Sequence, residues 1–356
     1  TPPKYTKPAG SYCTGCVCER FPTGFVPSLE RPSAKILLVG EAPGYDEGIY
    51  GEPFVGAAGS MLTRILKIIG RTREEYRLAN VYSCVLPGGT SERQSWAYSA
   101  RESCRYLDDT LAAGPTVVVP LGGVALRRVL GLFGQKHIAV EDFHGTVSRD
   151  PSDRFWVVPS YHPSHLQRGA VNLMGVAAFD LSIAQQVADL GWTPDPMRLV
   201  LDPPIDWFRA WANEYLAAVR QDPYGYPLAN DIETPEKGSD ESADLTGGRD
   251  KSYRILRMNF AYSPDEGVTV PFEYPYIPII QEVLGAGGVN VLWNKGYDLP
   301  REIAAGLPIA SEKMYDGMWM WKVLQSDLPG GLGFVAPFYS RYGPWKHLSG
   351  SEPVKY

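Results

Sequence analysis

The sequence predicts an α/β protein in two domains, the first a parallel sheet with helices on both faces. Three observations carry that expectation. Short apolar strands alternate with stretches of helical spacing through residues 34–190, and interleaved strands and helices build parallel sheets covered on both sides. Glu41, Asn80, Gly122 and His162 fall at or just after the ends of those strands, the rim where such sheets bind ligands. Finally, a proline-containing segment, Thr193–Ile205, separates this pattern from a new strand near Tyr226.

In chain order, the predicted strands are Ile36–Val39, Leu78–Tyr82, Thr116–Pro120 and Phe155–Val158. Met61-Leu62, Ile65-Leu66 and Ile68-Ile69 recur at helical spacing between the first two. A helix over Trp207–Arg220 is expected to bridge the halves, and Leu228–Ile232 opens the second domain. Glu236–Asp250, polar and glycine-containing, reads as a hairpin or loop. The resulting division is 1–195, a linker helix region 196–225, and 226–356.

A chain of 356 residues with 44% hydrophobic and 12% aromatic content can bury two cores. No run of about 18 apolar residues marks a membrane span, so no membrane partner is expected, and no secretory signal is visible. The chain begins without Met and stops at Val354-Lys355-Tyr356, so a fragment of something longer is expected. Net charge is −6; residues 1–195 balance 19 Lys/Arg against 19 Asp/Glu, leaving 15 against 21 in 196–356. The acidic excess is either a solvated surface or a set of metal-collecting carboxylates.

All five cysteines lie in the first 104 residues. Without a secretory context a metal site is favoured over disulfides. Cys13-x2-Cys16, Cys84 and Cys104, the last on an expected helix, can hold zinc or a [4Fe–4S] cluster. Buried, unligated thiols are the other reading.

Gly40-Glu41-Ala42-Pro43-Gly44 follows an apolar strand, and Pro53-Phe54-Val55-Gly56 and Tyr161-His162-Pro163-Ser164 come later. A tight turn bearing a carboxylate, an aromatic face and a histidine donor can hold a flat polar ring such as a nucleobase. Taken singly, Glu41 can cap a helix, Asn80 can end a strand and His162-Pro163 can be a turn. Together with Asn80-Val-Tyr-Ser-Cys84, Cys104 and Leu121-Gly122, in this order from Cys13 to about Gln186, they resemble the family-4 uracil-DNA glycosylases. The resemblance implies a three-layer α/β/α domain and a [4Fe–4S] cluster on Cys13, Cys16, Cys84 and Cys104. It also implies a tight backbone pocket at Gly40, Phe54 stacking on uracil and Asn80 reading its polar edge. Glu41 would assist hydrolysis, with Glu47 as second candidate, and His162 would bind the carbonyl that gains charge. Arg168 or basic residues along Arg64–Arg77 could meet phosphates, although a solvated helix face is the commoner reading of the latter. Val85-Leu86-Pro87-Gly88 departs from the family's basic residue and paired prolines.

In the second half, Asp231-Ile232-Glu233 ends a strand with two carboxylates on one side. Asn294-Lys-Gly-Tyr-Asp298 follows the apolar Val291–Trp293 and adds a third. Three such acids suit two divalent metals about 3.5–4 Å apart. With Asp316-Gly-Met-Trp319, Ser326–Gly333 and Trp345-Lys346, these residues resemble the proofreading 3′–5′ exonuclease of family A DNA polymerases, in its phage-type versions. That implies a ribonuclease H-like α/β domain, and Mg²⁺ or Mn²⁺ on Asp231, Glu233 and Asp298, with Asn294 near the substrate. Tyr356 could open the third motif, whose final Asp lies beyond the sequence. The expected partners are uracil-containing DNA, DNA 3′ ends and a polymerase domain on the same chain, in the cytoplasm of a bacterial or phage-infected cell. The alternative is a first domain that senses uracil without cleaving, leaving only the exonuclease active.

Overall fold

The computed structural model describes residues 13, 16, 18, 24–86, 104–132, 138–235, 254–309 and 313–344. The chain divides into two units, Thr1–Pro194 with Gly333–Tyr356, and Asp195–Leu332. Glu236–Asp250, Trp345-Lys346 and Tyr356, all read above from sequence, lie outside the described residues.

The first unit is built on five strands: β1 Ile36–Gly40, β2 Tyr76–Asn80, β3 Val117–Pro120, β4 Ser148–Arg149 and β5 Trp156–Val157. Their order is β2-β1-β3-β5-β4, parallel except for the β4–β5 pair. All five residues of β1 are buried, as a strand covered on both faces requires, and this explains its unbroken apolar sequence. Leu37 and Val39 pack with Leu107, Leu111, Ala125 and Val129 of the helices Tyr106–Ala112 and Gly123–Leu130. The alternate residues point the other way, and the long helix Met174–Leu190 packs against β1 and β3. Helix Ala57–Ile68 buries Met61, Leu62, Ile65 and Leu66, one stripe at helical spacing. The result is three layers.

Two details differ from expectation. The second strand begins and ends two residues earlier, at Tyr76–Asn80, because the aromatic Tyr76 and the charged Arg77 are themselves buried. Cys104 precedes its helix, which begins at Tyr106.

The second unit holds β6 Arg198–Leu201, β7 Leu228–Glu233, β8 Arg257–Ser263, β9 Glu266–Pro271, β10 Asn290–Leu292 and β11 Met314–Asp316. They lie in the order β11-β10-β7-β8-β9-β6. β8 runs antiparallel to β7 and β9, while β10 and β11 run parallel to β7. Counted from β7, this is a 5-4-1-2-3 sheet with its second strand reversed, the ribonuclease H-like arrangement. The segment expected as a linker helix region, 196–225, is part of this body. β6 adds to β9, and the helix Ile205–Gln221 buries Phe208, Trp211, Ala212, Tyr215 and Val219 in the core. Among the described residues no helix is long and apolar enough to cross a membrane.

Arg77, one of the basic residues considered for phosphate contact, is buried inside the first unit. Its guanidinium donates to the carbonyls of Ala34 at 3.0 Å, Ala113 at 3.2 Å and Pro32 at 3.4 Å. Methionine there strands those acceptors, so Arg77→Met should lower urea-unfolding stability by about 2–3 kcal/mol. Arg71→Met, which breaks only exposed pairs with Glu75 and Asp189, should cost at most about 1 kcal/mol.

Candidate active site

The site is assembled from strand ends. Gly40 closes β1 in register with Asn80 at the end of β2. A Cβ on Gly40 would run into the Asn80 side-chain oxygen and come within 2.7 Å of the Phe54 ring. Glycine is therefore the floor on which Phe54 and Asn80 converge.

Phe54 is buried and has φ +58°, a left-handed conformation disfavoured for a bulky residue. Both of its peptide groups are clamped. Its N–H donates to Glu47 Oε1 at 2.7 Å. Its carbonyl accepts from Arg73 Nη1, and Arg73 Nη2 reaches the Pro53 carbonyl at 3.1 Å. Gly59 is needed for the same reason, because a Cβ there would strike the Phe54 carbonyl. Glu47 also accepts from the Gly44 N–H, so both oxygens serve the backbone. Burial raises its pKa, and the Gly44 and Phe54 hydrogen bonds oppose the rise. Glu47, expected as the second candidate for hydrolysis after Glu41, thus has both oxygens engaged in shaping the turn. Arg73 likewise serves the Phe54 turn rather than a phosphate.

His162 caps the short helix Pro163–Gln167. Its Nδ1 accepts from the Ser164 N–H at 3.1 Å. A backbone N–H can only donate, so Nδ1 carries no proton and the neutral ring bears its hydrogen on Nε2. Burial, then Arg168 and His165, pushes the His162 pKa down to about 4, so the ring is a neutral donor at physiological pH. Its centroid lies 6.2 Å from that of Phe54. Gly122, at φ +90°, admits it, since a Cβ there would stand 3.0 Å from the His162 Cβ. Glu41, Phe54, Asn80, His162 and Arg168 share the lining of one cavity of about 700 Å³. Gly40 lies against the Phe54 and Asn80 side chains, and Leu86, from the divergent stretch after Cys84, lies in the cavity wall beside Glu47.

The cysteines also gather. Cys13 and Cys16 share a turn in which the Cys16 N–H donates to the Cys13 carbonyl at 2.9 Å. With Cys18, Cys84 and Cys104 they pack in a single cluster. Burial raises the Cys104 pKa; N–H groups of Ser83 and Tyr106 oppose this, and Cys16 and Cys13 add to it. Four thiols from three stretches, packed in one cluster, are a donor set that fits an iron–sulfur cluster. Among the described residues no three His, Cys, Asp or Glu side chains are arranged to hold a single metal ion.

That last finding also bears on the second unit. Asp231 and Glu233 share the exposed face of β7, and Asn259 Nδ2 reaches both, at 3.2 and 3.4 Å. Asp298 is buried on the helix Lys295–Ala304. Burial, then Asp231, raises its pKa to about 7. Glu302, one turn further, was missed by sequence, although i,i+4 spacing from Asp298 places both on one helix face. It accepts from Asn230 Nδ2 at 2.6 Å, and burial and Asp298 bring its pKa to about 7. The carboxylates therefore share one neighbourhood, yet they do not form a ready single-ion cage. Asn294, at φ +65°, begins the helix, and its N–H donates to Asp316 Oδ1 at 3.1 Å. Asp316 also accepts from Lys295, Met318 and Trp319 N–H groups, so it is a double helix cap.

Comparison with known proteins places the first unit. The family model "Uracil DNA glycosylase superfamily" matches residues 27–181. The type-4 uracil-DNA glycosylase of Archaeoglobus fulgidus is 35% identical over 155 residues, 43% of this chain and 76% of that protein. Those of Thermotoga maritima and Sulfurisphaera tokodaii are 32% and 31% identical, with 80% and 70% of their lengths covered and 45% and 43% of this chain. For the second unit, the crystal structure of the Aedes aegypti Nibbler EXO domain gives a TM-score of 0.28 at 9% identity. It covers 38% of this chain and 61% of that chain, a likeness too slight to bear on the fold. Through its first unit, the chain belongs to the type-4 uracil-DNA glycosylase family of the uracil DNA glycosylase superfamily.

Proposed function

We propose that the first unit excises uracil from DNA by hydrolysing its N-glycosidic bond. The observation that carries this reading is the convergence of Glu41, Phe54, Asn80 and a neutral His162 on one cavity. The base leaves the stack at a cost of a few kcal/mol and lies against the Phe54 ring, with the Asn80 amide at its polar edge. As the bond from N1 to the sugar breaks, its electron pair passes to the base and charge grows on a ring carbonyl. His162 Nε2–H donates to that oxygen without giving up its proton. Glu41 orients a water toward the electron-poor sugar carbon and accepts its proton. Arg168 stands at the rim for a phosphate. Cys13, Cys16, Cys84 and Cys104 would hold the [4Fe–4S] cluster, which when bound supplies a cross-link between three stretches of chain.

The second unit is proposed to remove 3′ nucleotides, with Asp231, Glu233 and Asp298 holding Mg²⁺ or Mn²⁺ and Asn294 beside the 3′ end. Support comes from the ribonuclease H-like strand order and from burial and Asp231 lifting Asp298, as expected of acids gathered for cations. This pairing of activities suits the N-terminal part of a DNA polymerase.

A labelled oligonucleotide with one uracil, incubated in EDTA and then treated with alkali, should break at the uracil. Glu41→Gln should keep binding and lose turnover by 100-fold or more, in the range of roughly 10²–10⁴ for a lost acid–base group. Binding by the wild type without a break would instead favour a sensor. Glu47→Gln should also weaken the protein by about 1–3 kcal/mol, because its amide must face one of two backbone N–H donors. His162 predicts a pH–rate profile whose acid limb falls only near pH 4, since protonation removes the acceptor for Ser164. Asp298→Asn should abolish Mn²⁺-dependent 3′ digestion and leave excision in EDTA intact.

A further inference from the structure

Behind the His162 turn lies a buried charged group that this chemistry does not use. His144, Asp180 and Ser160 are each 0% exposed. His144 Nδ1 stands 3.0 Å from Asp180 Oδ1, and Nε2 stands 2.8 Å from the Phe334 carbonyl. Ser160 Oγ donates to Asp180 Oδ2 at 2.7 Å. The Phe334 carbonyl only accepts, so Nε2 carries a proton; with Asp180 ionised Nδ1 donates as well and His144 is an imidazolium. Burial raises the Asp180 pKa, and His144 and Ser160 oppose that rise. Burial opposes that charge, but Asp180, then the Phe334 carbonyl and Glu141, outweigh it and hold the His144 pKa above its ordinary value.

Phe334 comes after every strand of the second unit in sequence, yet residues 333–344 belong to the first. The segment is packed in. The Phe334 ring lies 4.5 Å from His144, and Phe338 lies 4.7 Å from Phe179. Gly145, at φ +64°, leaves room, since a Cβ there would meet Pro337 at 3.3 Å and Asp180 Oδ1 at 2.9 Å. Without the segment, one N–H of a buried cation would lose its acceptor, a costly vacancy.

The network also reaches the active site. The Ser160 N–H donates to the Pro120 carbonyl at 3.0 Å, and its carbonyl accepts from Gly122 at 2.9 Å. Gly122 is the residue that makes space for His162. Tyr161, between Ser160 and His162, lies 5.7 Å from the His144 ring.

We propose that residues 333–340 are a clasp that completes the glycosylase unit, with His144 and Asp180 as positioning residues that hold the His162 turn through Ser160. The positioning half rests on the glycosylase reading above; the clasp itself does not.

The test uses the full chain, wild type, His144→Leu and Asp180→Asn, with hydrogen–deuterium exchange and uracil release measured across pH. Asparagine at 180 can accept from Ser160 and donate to a neutral His144, whose Nε2–H still reaches Phe334. The group facing His144 is otherwise Asp180, Glu141, Tyr161 and the Phe334 carbonyl. As pH rises through the raised His144 pKa, the wild type should lose protection at 333–340 and at 160–168 together, and kcat should fall. Asp180→Asn should retain kcat without that alkaline fall. His144→Leu should exchange faster in both segments and lower kcat by roughly 10- to 100-fold, with KM less affected. Faster exchange at 333–340 with unchanged kcat and unchanged exchange at 160–168 would overturn the positioning role. An alkaline fall in Asp180→Asn matching the wild type would do the same, and that comparison stands even where His144→Leu does not fold. A wild type that releases no uracil would sink the glycosylase reading, while linked exchange of the two segments would still uphold the clasp.

Discussion

The cavity of the first unit depends on one phenylalanine held in a backbone conformation that it disfavours. A left-handed Phe54 costs about 1–3 kcal/mol, and charge-assisted hydrogen bonds of about 1.5–3 kcal/mol each are available to offset it. Glu47 takes the N–H and Arg73 takes the carbonyl. With φ fixed at +58°, the ring turns back over the end of β1, where Gly40 has no side chain to obstruct it. The pocket's stacking face is thus a consequence of two ion-bearing side chains that hold its backbone. Replacing any of Gly40, Glu47, Gly59 or Arg73 attacks the same turn from a different side.

The second unit uses the same device with different parts. Asp316 collects four backbone N–H groups from two helix starts, which fixes where the helix Lys295–Ala304 begins and so where Asp298 sits. Glu302 ties the far end of that helix to β7 through Asn230. Asp298 is therefore anchored above and below, and its burial beside Asp231 follows from anchors that sequence motifs do not mark.

Much of this was legible in the residues. Apolar runs such as Ile36–Val39 announce a strand covered on both faces, and motifs at strand ends must meet at one rim because parallel strands end together. Glu41, Asn80 and His162 were readable for that reason. Tyr76 and Arg77 were not, because a buried arginine satisfied by three carbonyls looks, in sequence, like a surface charge. β6 and the helix Ile205–Gln221 were mistaken for a linker, because β6 is mostly exposed and joins a strand nearly seventy residues away in sequence. The clasp was invisible for a similar reason: hydrogen bonds between His144, Asp180 and Phe334 join positions that no periodicity links.

Carboxylates show where such reading must stop. Glu47, Asp180 and Asp316 are each buried, the first on a short helix, the second inside a long one and the third at a strand end. All three are occupied by backbone or side-chain donors that fix the fold. Glu41 lines the cavity, while Asp231 and Glu233 lie on the open face of β7. Residue type, spacing and charge do not mark the difference, since Glu47 lines the same cavity as Glu41. The acids that build the fold are known by what they hold: two N–H groups of one turn for Glu47, His144 and Ser160 for Asp180, and two helix starts for Asp316. Those partners come from stretches that only the folded chain brings together, so no reading of the residues alone can assign them.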